Sequence, residues 1–175
     1  ALSGVVDEHG TMHDAPAPGP LRAAAGVTVR DSALPHPYAG PVTIRRDRAM
    51  ELPDLHDVRW LDEILPDAGT EVLARYDNAF YRDIPVLTRR EYGAGSVYYL
   101  GALLTQDGYN ALYRALAPLL GLRPILDLPE GIYVTERISG DRRIRFFNNP
   151  HPDAREVTVE GETVALEAFG VRVIG

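Results

Sequence analysis

Two histidines four residues apart lie among three carboxylates near the start of the chain: His9 and His13, with Asp7, Glu8 and Asp14. Imidazole and carboxylate groups are common zinc ligands, and histidines at this spacing bind a metal when a helix holds both rings on one face. A glycine lies between the two histidines and three prolines follow, so no rigid element is predicted here. The pattern favours a solvent-exposed loop, and a metal-dependent hydrolase built on His9, His13 and Asp14 is the weaker alternative.

The other patterns that could support catalysis are incomplete. The four serines, Ser3, Ser32, Ser96 and Ser139, all lie outside a Gly-x-Ser-x-Gly elbow. The stretch Gly93-Ala94-Gly95 lacks the third glycine of a dinucleotide loop, and a strand rather than a helix is predicted after it. No two carboxylates are predicted to converge at the separation of about 5 Å that a retaining glycosidase needs. We therefore predict no catalytic, cofactor-binding or metal-binding residue in this sequence.

The composition is that of a globular, acidic protein. The 175 residues are 45% hydrophobic, carry a formal net charge of −7 at pH 7 and include no cysteine. An acidic chain binds phosphate backbones poorly, so nucleic acid is not expected as a partner, and disulfides and thiolate sites are excluded. No apolar run approaches the roughly 18 residues of a membrane span. The prediction is a cytoplasmic protein without a membrane partner.

Nine tyrosines and the single tryptophan, Trp60, could form a sugar-binding face, because aromatic rings offer a broad apolar surface with a polar edge. Four of the tyrosines, Tyr98, Tyr99, Tyr109 and Tyr113, fall where a strand and a helix are predicted to pack together. This position favours core packing for all four. A stand-alone carbohydrate-binding module is therefore an alternative, not the first prediction.

The first 120 residues are predicted to mix short strands with two helices. A short helix at 21–26 ends at a glycine C-cap, and a longer helix at 107–120 has Asp107 as its N-cap, a leucine face and Gly121 as its terminator. The proline-rich segment 34–41 is predicted to be a loop. Strands are predicted at 27–30, 42–45 and 71–76 and, around a glycine turn, at 85–88 and 96–100, while 56–65 fits strand and helix equally well.

After a proline-bracketed linker at 122–129, every predicted element is a strand. The runs are short, and turns containing glycine, asparagine or proline join them, which is typical of a small antiparallel sandwich or barrel. The predicted strands cover residues 132–137, 143–147, 157–159, 164–166 and 171–174.

The order of several motifs is distinctive. They are Ser3-Gly4-Val5-Val6-Asp7-Glu8, Pro18-Gly19-Pro20-Leu21-Arg22 with Gly26-Val27, Trp60, Glu71-Val72-Leu73-Ala74-Arg75-Tyr76, and Pro85-Val86-Leu87-Thr88-Arg89 leading into Tyr92-Gly93-Ala94-Gly95-Ser96-Val97-Tyr98-Tyr99-Leu100-Gly101. This order resembles the trimerisation domain of family 42 glycoside hydrolases, the β-galactosidases. The tail, with Phe146-Phe147-Asn148, is similar to the small β domain that closes those enzymes, although Asn149 stands where a histidine would be expected.

The resemblance implies two domains. Residues 1–124 would be a partial α/β trimerisation domain of flavodoxin-like or amidotransferase-like type, and residues 129–175 a small all-β antiparallel sandwich or barrel. In that family the catalytic glutamates lie in a TIM barrel before this region, and they are not expected here. One long helix cannot cover both faces of an α/β sheet, so other protein is expected to cover part of it.

The sequence thus predicts a non-catalytic assembly region of a β-galactosidase-like retaining glycoside hydrolase that cleaves terminal β-galactosides. The expected partners are the rest of that enzyme and further copies of the chain, in a trimer by resemblance, and no cofactor is expected. Two alternatives stay open: the carbohydrate-binding module and, less favoured, the metal-dependent hydrolase using His9 and His13.

Overall fold

The computed structural model of the chain describes residues 3–47, 55–56, 58–123, 125–126 and 128–175. The predictions made for positions 1, 2, 57, 124 and 127 lie outside these ranges. Contacts between residues divide the chain into two compact units, Ala1–Leu120 and Gly121–Gly175. No helix within the described ranges is long and apolar enough to cross a membrane.

The first unit is built mainly from antiparallel strands. They are β1 (Val27–Ala33), β2 (Thr43–Arg46), β3 (Trp60–Pro66), β4 (Glu71–Asp77), β5 (Pro85–Tyr92), β6 (Gly95–Leu100) and β7 (Ala102–Leu103). One sheet has the order β1-β3-β7 and the other the order β2-β4-β5-β6. All pairings in both sheets are antiparallel.

The α/β character predicted for residues 1–124 is not shown by the described residues, which form a β-rich fold with few helices. Parallel pairing requires a long crossover connection, usually a helix, between neighbouring strands. In this unit the neighbours β4, β5 and β6 follow one another directly, so they pair in opposite directions. The predicted strands themselves are confirmed, and the segment 34–41 is a loop as expected.

The hairpin predicted around the Gly93-Ala94-Gly95 stretch is confirmed. Strand β5 ends at Tyr92 and β6 begins at Gly95, so a two-residue turn joins them. Gly93 has a φ of 59°, which is the left-handed conformation that such a turn requires at its first position. The register places Leu87 opposite Leu100.

The ambiguous segment 56–65 contains strand β3. Leu61, Asp62 and Ile64 in this strand are all buried. A strand that is covered on both faces lacks the simple polar–apolar alternation of a surface strand. This explains why the spacing of the apolar residues in this segment fits a strand and a helix equally well.

The predicted short helix is present as α1 (Arg22–Ala25). Gly26 ends it in the left-handed conformation, with φ 63°, as the sequence indicated. A side chain at Gly26 would also collide with Thr70 and Arg90, because both approach the glycine closely. Two constraints, one on the backbone and one on packing, thus favour glycine at this position.

The long helix is α2 (Gln106–Leu119), and its predicted N-cap was wrong. The capping residue is Thr105, whose side-chain oxygen accepts a hydrogen bond from the Gly108 N–H. Asp107 lies in the first turn instead, where its negative charge interacts favourably with the helix dipole. Leu112 and Leu116 of α2 are buried in the main core of the unit.

The second unit is a small two-layer arrangement of antiparallel strands, and all five predicted strands are confirmed. They are β8 (Tyr133–Ser139), β9 (Arg142–Asn148), β10 (Arg155–Val159), β11 (Glu162–Leu166) and β12 (Val171–Ile174). One sheet has the order β12-β9-β8, and β10 and β11 form a hairpin. Their shared core contains Ile132, Phe147, Val157, Val159 and Leu166.

Two polar features stabilise this second unit. Asn149 is fully buried, and its amide nitrogen donates to the backbone oxygens of Asp153 and Glu167, each at 2.9 Å. On the sheet, the guanidinium of Arg145 contacts the carboxylate of Glu136 at 2.8 Å and holds its pKa below the ordinary value. The asparagine found where a histidine was expected therefore has a structural role of its own.

Candidate functional site

The stretch around His9, whose residues suggested a metal site in the sequence, is a tight turn. The Asp7 carboxylate accepts hydrogen bonds from the backbone N–H groups of His9 and Thr11, at 2.9 and 2.8 Å, and Val6 pairs with Met12. The ring of His9 is exposed to solvent, with Glu8 at 3.9 Å. This stretch is a solvent-exposed loop, and the Asp7 carboxylate stabilises its turn.

His13 lies apart from this turn. Its backbone N–H donates to the Val5 oxygen at 3.0 Å, and its ring packs beside Gly19. Among the residues that the structure describes, no three histidine or carboxylate side chains come together as a metal-binding group. The structure therefore does not bring His9, His13 and Asp14 together.

Among the described residues of the first unit, the most buried carboxylate belongs to Asp62, which is 1% exposed. Its Oδ1 accepts hydrogen bonds from the Trp60 indole N–H at 2.9 Å and from the Ser32 hydroxyl at 2.8 Å. The Asp62 backbone N–H donates to the oxygen of Gly101 at 2.7 Å. A buried charge is tolerated when hydrogen bonds surround it, and here they link β1 to β3. Sequence reasoning missed this residue.

Two tyrosines complete the group around Asp62. The hydroxyl of Tyr76, which is fully buried, donates to the backbone oxygen of Gly101, and the ring of Tyr99 is also buried. Burial raises the pKa of both hydroxyls well above the ordinary value, and the negative charge of Asp62 raises each pKa further. The group is a polar centre in the interior of the unit rather than an open pocket.

Alkaline pH should weaken the first unit through these tyrosines. A raised pKa in the folded state gives stability that is complete below the ordinary tyrosine pKa of about 10 and that is lost as the pH rises above it. We expect Tyr99→Phe to lessen the loss of stability as the pH rises above about 10, while Tyr92→Phe, at an exposed position, leaves the wild-type slope. Urea unfolding followed by circular dichroism measures this slope. Equal slopes for Tyr99→Phe and wild type would refute the explanation.

The tyrosines considered for sugar binding are mainly structural. Tyr99 is buried, and Tyr98 and Tyr109 pack against the main core, as core packing predicted. Tyr113 is the exception because it is 63% exposed, with its ring stacked on Tyr109 at a centroid distance of 6.3 Å. The indole nitrogen of Trp60 is occupied by Asp62. These rings do not form one common face for a sugar.

Comparison with known proteins identifies the first unit. A family model described as the β-galactosidase trimerisation domain matches residues 1–123, which is more than two thirds of the chain. The chain belongs to this family. The trimerisation domain thus covers β1 to β7 together with α1 and α2.

Curated relatives of the chain are β-galactosidases. The chain is 27% identical to β-galactosidase Pbg of Clostridium perfringens and 29% identical to β-galactosidase BglY of Alicyclobacillus acidocaldarius. Each alignment covers 98% of this chain and 27% of the relative. The chain therefore spans about a quarter of the length of the curated relatives that it matches. These matches support neither the carbohydrate-binding module nor the metal-dependent hydrolase.

Solved structures give the same result for the fold. The β-galactosidase of Bacillus circulans sp. alkalophilus superposes with a TM-score of 0.72 at 26% identity. The cold-adapted β-galactosidase of Rahnella sp. R3 has a TM-score of 0.75 at 24% identity. Each match covers 98% of this chain and 27% of the solved one. Both units of this chain thus have counterparts in β-galactosidases.

The trimerisation domain displays a cluster of rings on its surface that the sequence did not reveal. We name this the aromatic patch and define it as His36, Tyr38 and Phe80. The His36 ring stacks on Phe80 and lies tilted against Tyr38, with centroid distances of 5.6 Å in both cases. The only signal in the sequence was the presence of aromatic residues in a predicted loop, because 42 positions of chain separate Tyr38 from Phe80.

Proposed function

We propose that this chain is the non-catalytic assembly region of a β-galactosidase-like retaining glycoside hydrolase. In the parent enzyme, terminal β-galactosides would be cleaved by glutamates located outside this region, through a galactosyl-enzyme intermediate. The role of this region would be to join three copies of the enzyme. The observation that carries the proposal is the match of residues 1–123 to the trimerisation domain.

The proposal extends to the two domains. Residues 1–124 would be part of a larger α/β domain in the parent enzyme, with its remaining elements supplied by protein outside this chain. Residues 129–175 would be the small β domain. The division of contacts near residue 120 supports a boundary in this region, and so does the end of the family match at residue 123.

A fusion protein tests whether the region joins copies. We expect that a monomeric fluorescent protein, fused to the chain through a flexible Gly/Ser linker, forms particles with three fluorophores, while the same fluorescent protein alone stays single. Native mass spectrometry counts the copies. A fusion protein that stays single at micromolar concentration would contradict the assembly role.

The same preparation tests the separation of assembly from chemistry. It should hydrolyse a chromogenic β-galactoside no faster than the fluorescent protein alone. Hydrolysis at a rate typical of enzymes, on the order of 1 per second or more, would contradict the non-catalytic role.

A further inference from the structure

We infer that the aromatic patch is a surface through which copies of this chain contact one another. The inference rests on the proposed function, which it makes specific by naming the residues. Two side chains of the patch are unusually open to solvent: Tyr38 is 88% and Phe80 62% exposed. Large apolar side chains that lie together on a surface commonly mark a protein interface.

The patch is held in place by hydrogen bonds, although it lies on loops. Asn78, which is only 9% exposed, donates from its amide nitrogen to the backbone oxygens of Ala39 at 2.7 Å and Pro41 at 3.1 Å. Its amide oxygen accepts the N–H of Phe80 at 2.9 Å. One buried side chain therefore fixes both of the loops that carry the rings.

A second contact fixes the remaining part of the patch. The Tyr81 hydroxyl accepts the backbone N–H of His36 at 3.1 Å. The Tyr81 ring packs against the main core. Its centroid lies 6.4 Å from the ring centroid of Phe80 and 6.5 Å from that of Tyr76. The exposed rings thus continue into the buried core through a chain of aromatic contacts.

Rings that are exposed and already fixed are well suited to bind another protein. A binding surface loses affinity when its side chains must become ordered, and fixed aromatic rings have little freedom left to lose. Tyrosine and tryptophan are enriched among the residues that contribute most to interfaces. The hydrogen bonds of Asn78 and Tyr81 order the backbone of both loops before any partner binds. The contacts of the His36 ring with Tyr38 and Phe80 limit the freedom of the side chains.

The surface beside the patch is concave. A small pocket of about 70 Å³ is lined by Tyr81 and Ile84 together with residues of β1 and β3, including Asp31 and Glu63. Tyr81 belongs to the wall of this pocket and also supports the patch. The surface therefore combines projecting rings with a recess. Interfaces with high shape complementarity commonly have such pairs of protrusions and recesses.

A second copy of this chain is the occupant that the observations favour. The family model that includes all three patch residues is described as a trimerisation domain. In a closed trimer each copy contributes two different surfaces, one to each neighbour, so at least one extensive contact surface must exist on this unit. The aromatic patch is a group of exposed rings carried on loops that the unit holds in place.

The test compares two double variants of the whole chain by native mass spectrometry over a range of concentrations. The patch variant is Tyr38→Ser/Phe80→Ser, and the control variant is Tyr92→Ser/Tyr113→Ser, which removes two rings that are 54% and 63% exposed elsewhere on the same unit. We expect the patch variant to need at least about a hundredfold higher concentration to form trimers, while the control behaves like wild type. Tyr38→Ser alone should give about a tenfold shift.

Unchanged circular dichroism and unchanged Trp60 fluorescence establish that each variant is folded, and Tyr38→Ser, at the most exposed position, keeps the test valid if the double variant does not fold. A patch variant that forms trimers as readily as wild type overturns the inference alone, and the trimer must then use another surface. A wild-type chain that stays monomeric at every concentration overturns the proposed function, and the inference with it.

Discussion

Replacing Phe147 with alanine should unfold the second unit. The side chain is fully buried and packs with Ile132, Val157 and Leu166 at the centre of the only core described for this unit. Loss of a buried phenylalanine costs about 3 to 5 kcal/mol of unfolding free energy. A unit that runs only from Gly121 to Gly175 cannot tolerate that loss, because small domains bury little apolar surface.

Phe146 is the matched control for this prediction. It is next in sequence and in the same strand, but its side chain points to the opposite face and is only partly buried. We expect Phe146→Ala to cost about 1 kcal/mol. Hydrogen exchange of the β8 and β9 amides reports on the second unit, while Trp60 fluorescence reports on the first. Equal loss of protection in the two variants would show that the core has been assigned to the wrong face.

Replacing Asp62 with alanine should destabilise the first unit by about 1 to 3 kcal/mol. The substitution removes the oxygen that accepts the partly buried Trp60 indole N–H, while the Ser32 hydroxyl, at an exposed position, can turn to water. A buried donor that loses its acceptor costs the free energy of its desolvation, which exceeds the value of the hydrogen bond itself. Asp62→Asn keeps an acceptor oxygen of the same shape and should cost less.

The neighbouring Glu63 provides a control at a less buried position. Its carboxylate forms an ion pair with Arg30, whose side chain is 59% exposed. Such pairs contribute at most about 1 kcal/mol, so Glu63→Ala should change the unfolding free energy little. Urea unfolding followed by circular dichroism compares the three variants. If Asp62→Ala is no less stable than Glu63→Ala, the buried polar centre does not stabilise the unit as described.

The sequence allowed most of the elements to be predicted because their signals are local. The β5–β6 hairpin follows from a glycine that can adopt positive φ, and the end of α1 follows from Gly26. The strands of the second unit follow from short runs between turn residues. The N-cap of α2 was placed two residues late because Thr105 and Asp107 are both good capping residues, and only the backbone geometry distinguishes them.

The buried polar centre was harder to predict because it depends on tertiary packing. Trp60 and Asp62 are two apart, so they share one face of a strand and can bond to each other. That signal was present in the sequence, but the segment fitted strand and helix equally. Ser32 and Tyr76 reach Asp62 from other strands, and no local pattern reveals such pairings.

The aromatic patch was missed for the same reason. A proline-rich loop is predicted to be exposed, and nothing local shows that Asn78 fixes it from 37 and 39 positions away. The family resemblance identified the assembly role without identifying a surface. The direction of strand pairing is also a tertiary property, which is why the predicted α/β sheet and the antiparallel sheets of the described residues differ.

The mass of the isolated chain in solution tests the central claim most directly. Sedimentation equilibrium at several concentrations determines that mass without reference to shape. The assembly role predicts a species of three times the 19.2 kDa chain mass that dissociates on dilution to the single chain. A single species of 19.2 kDa at every concentration, from a chain that circular dichroism shows to be folded, would contradict it.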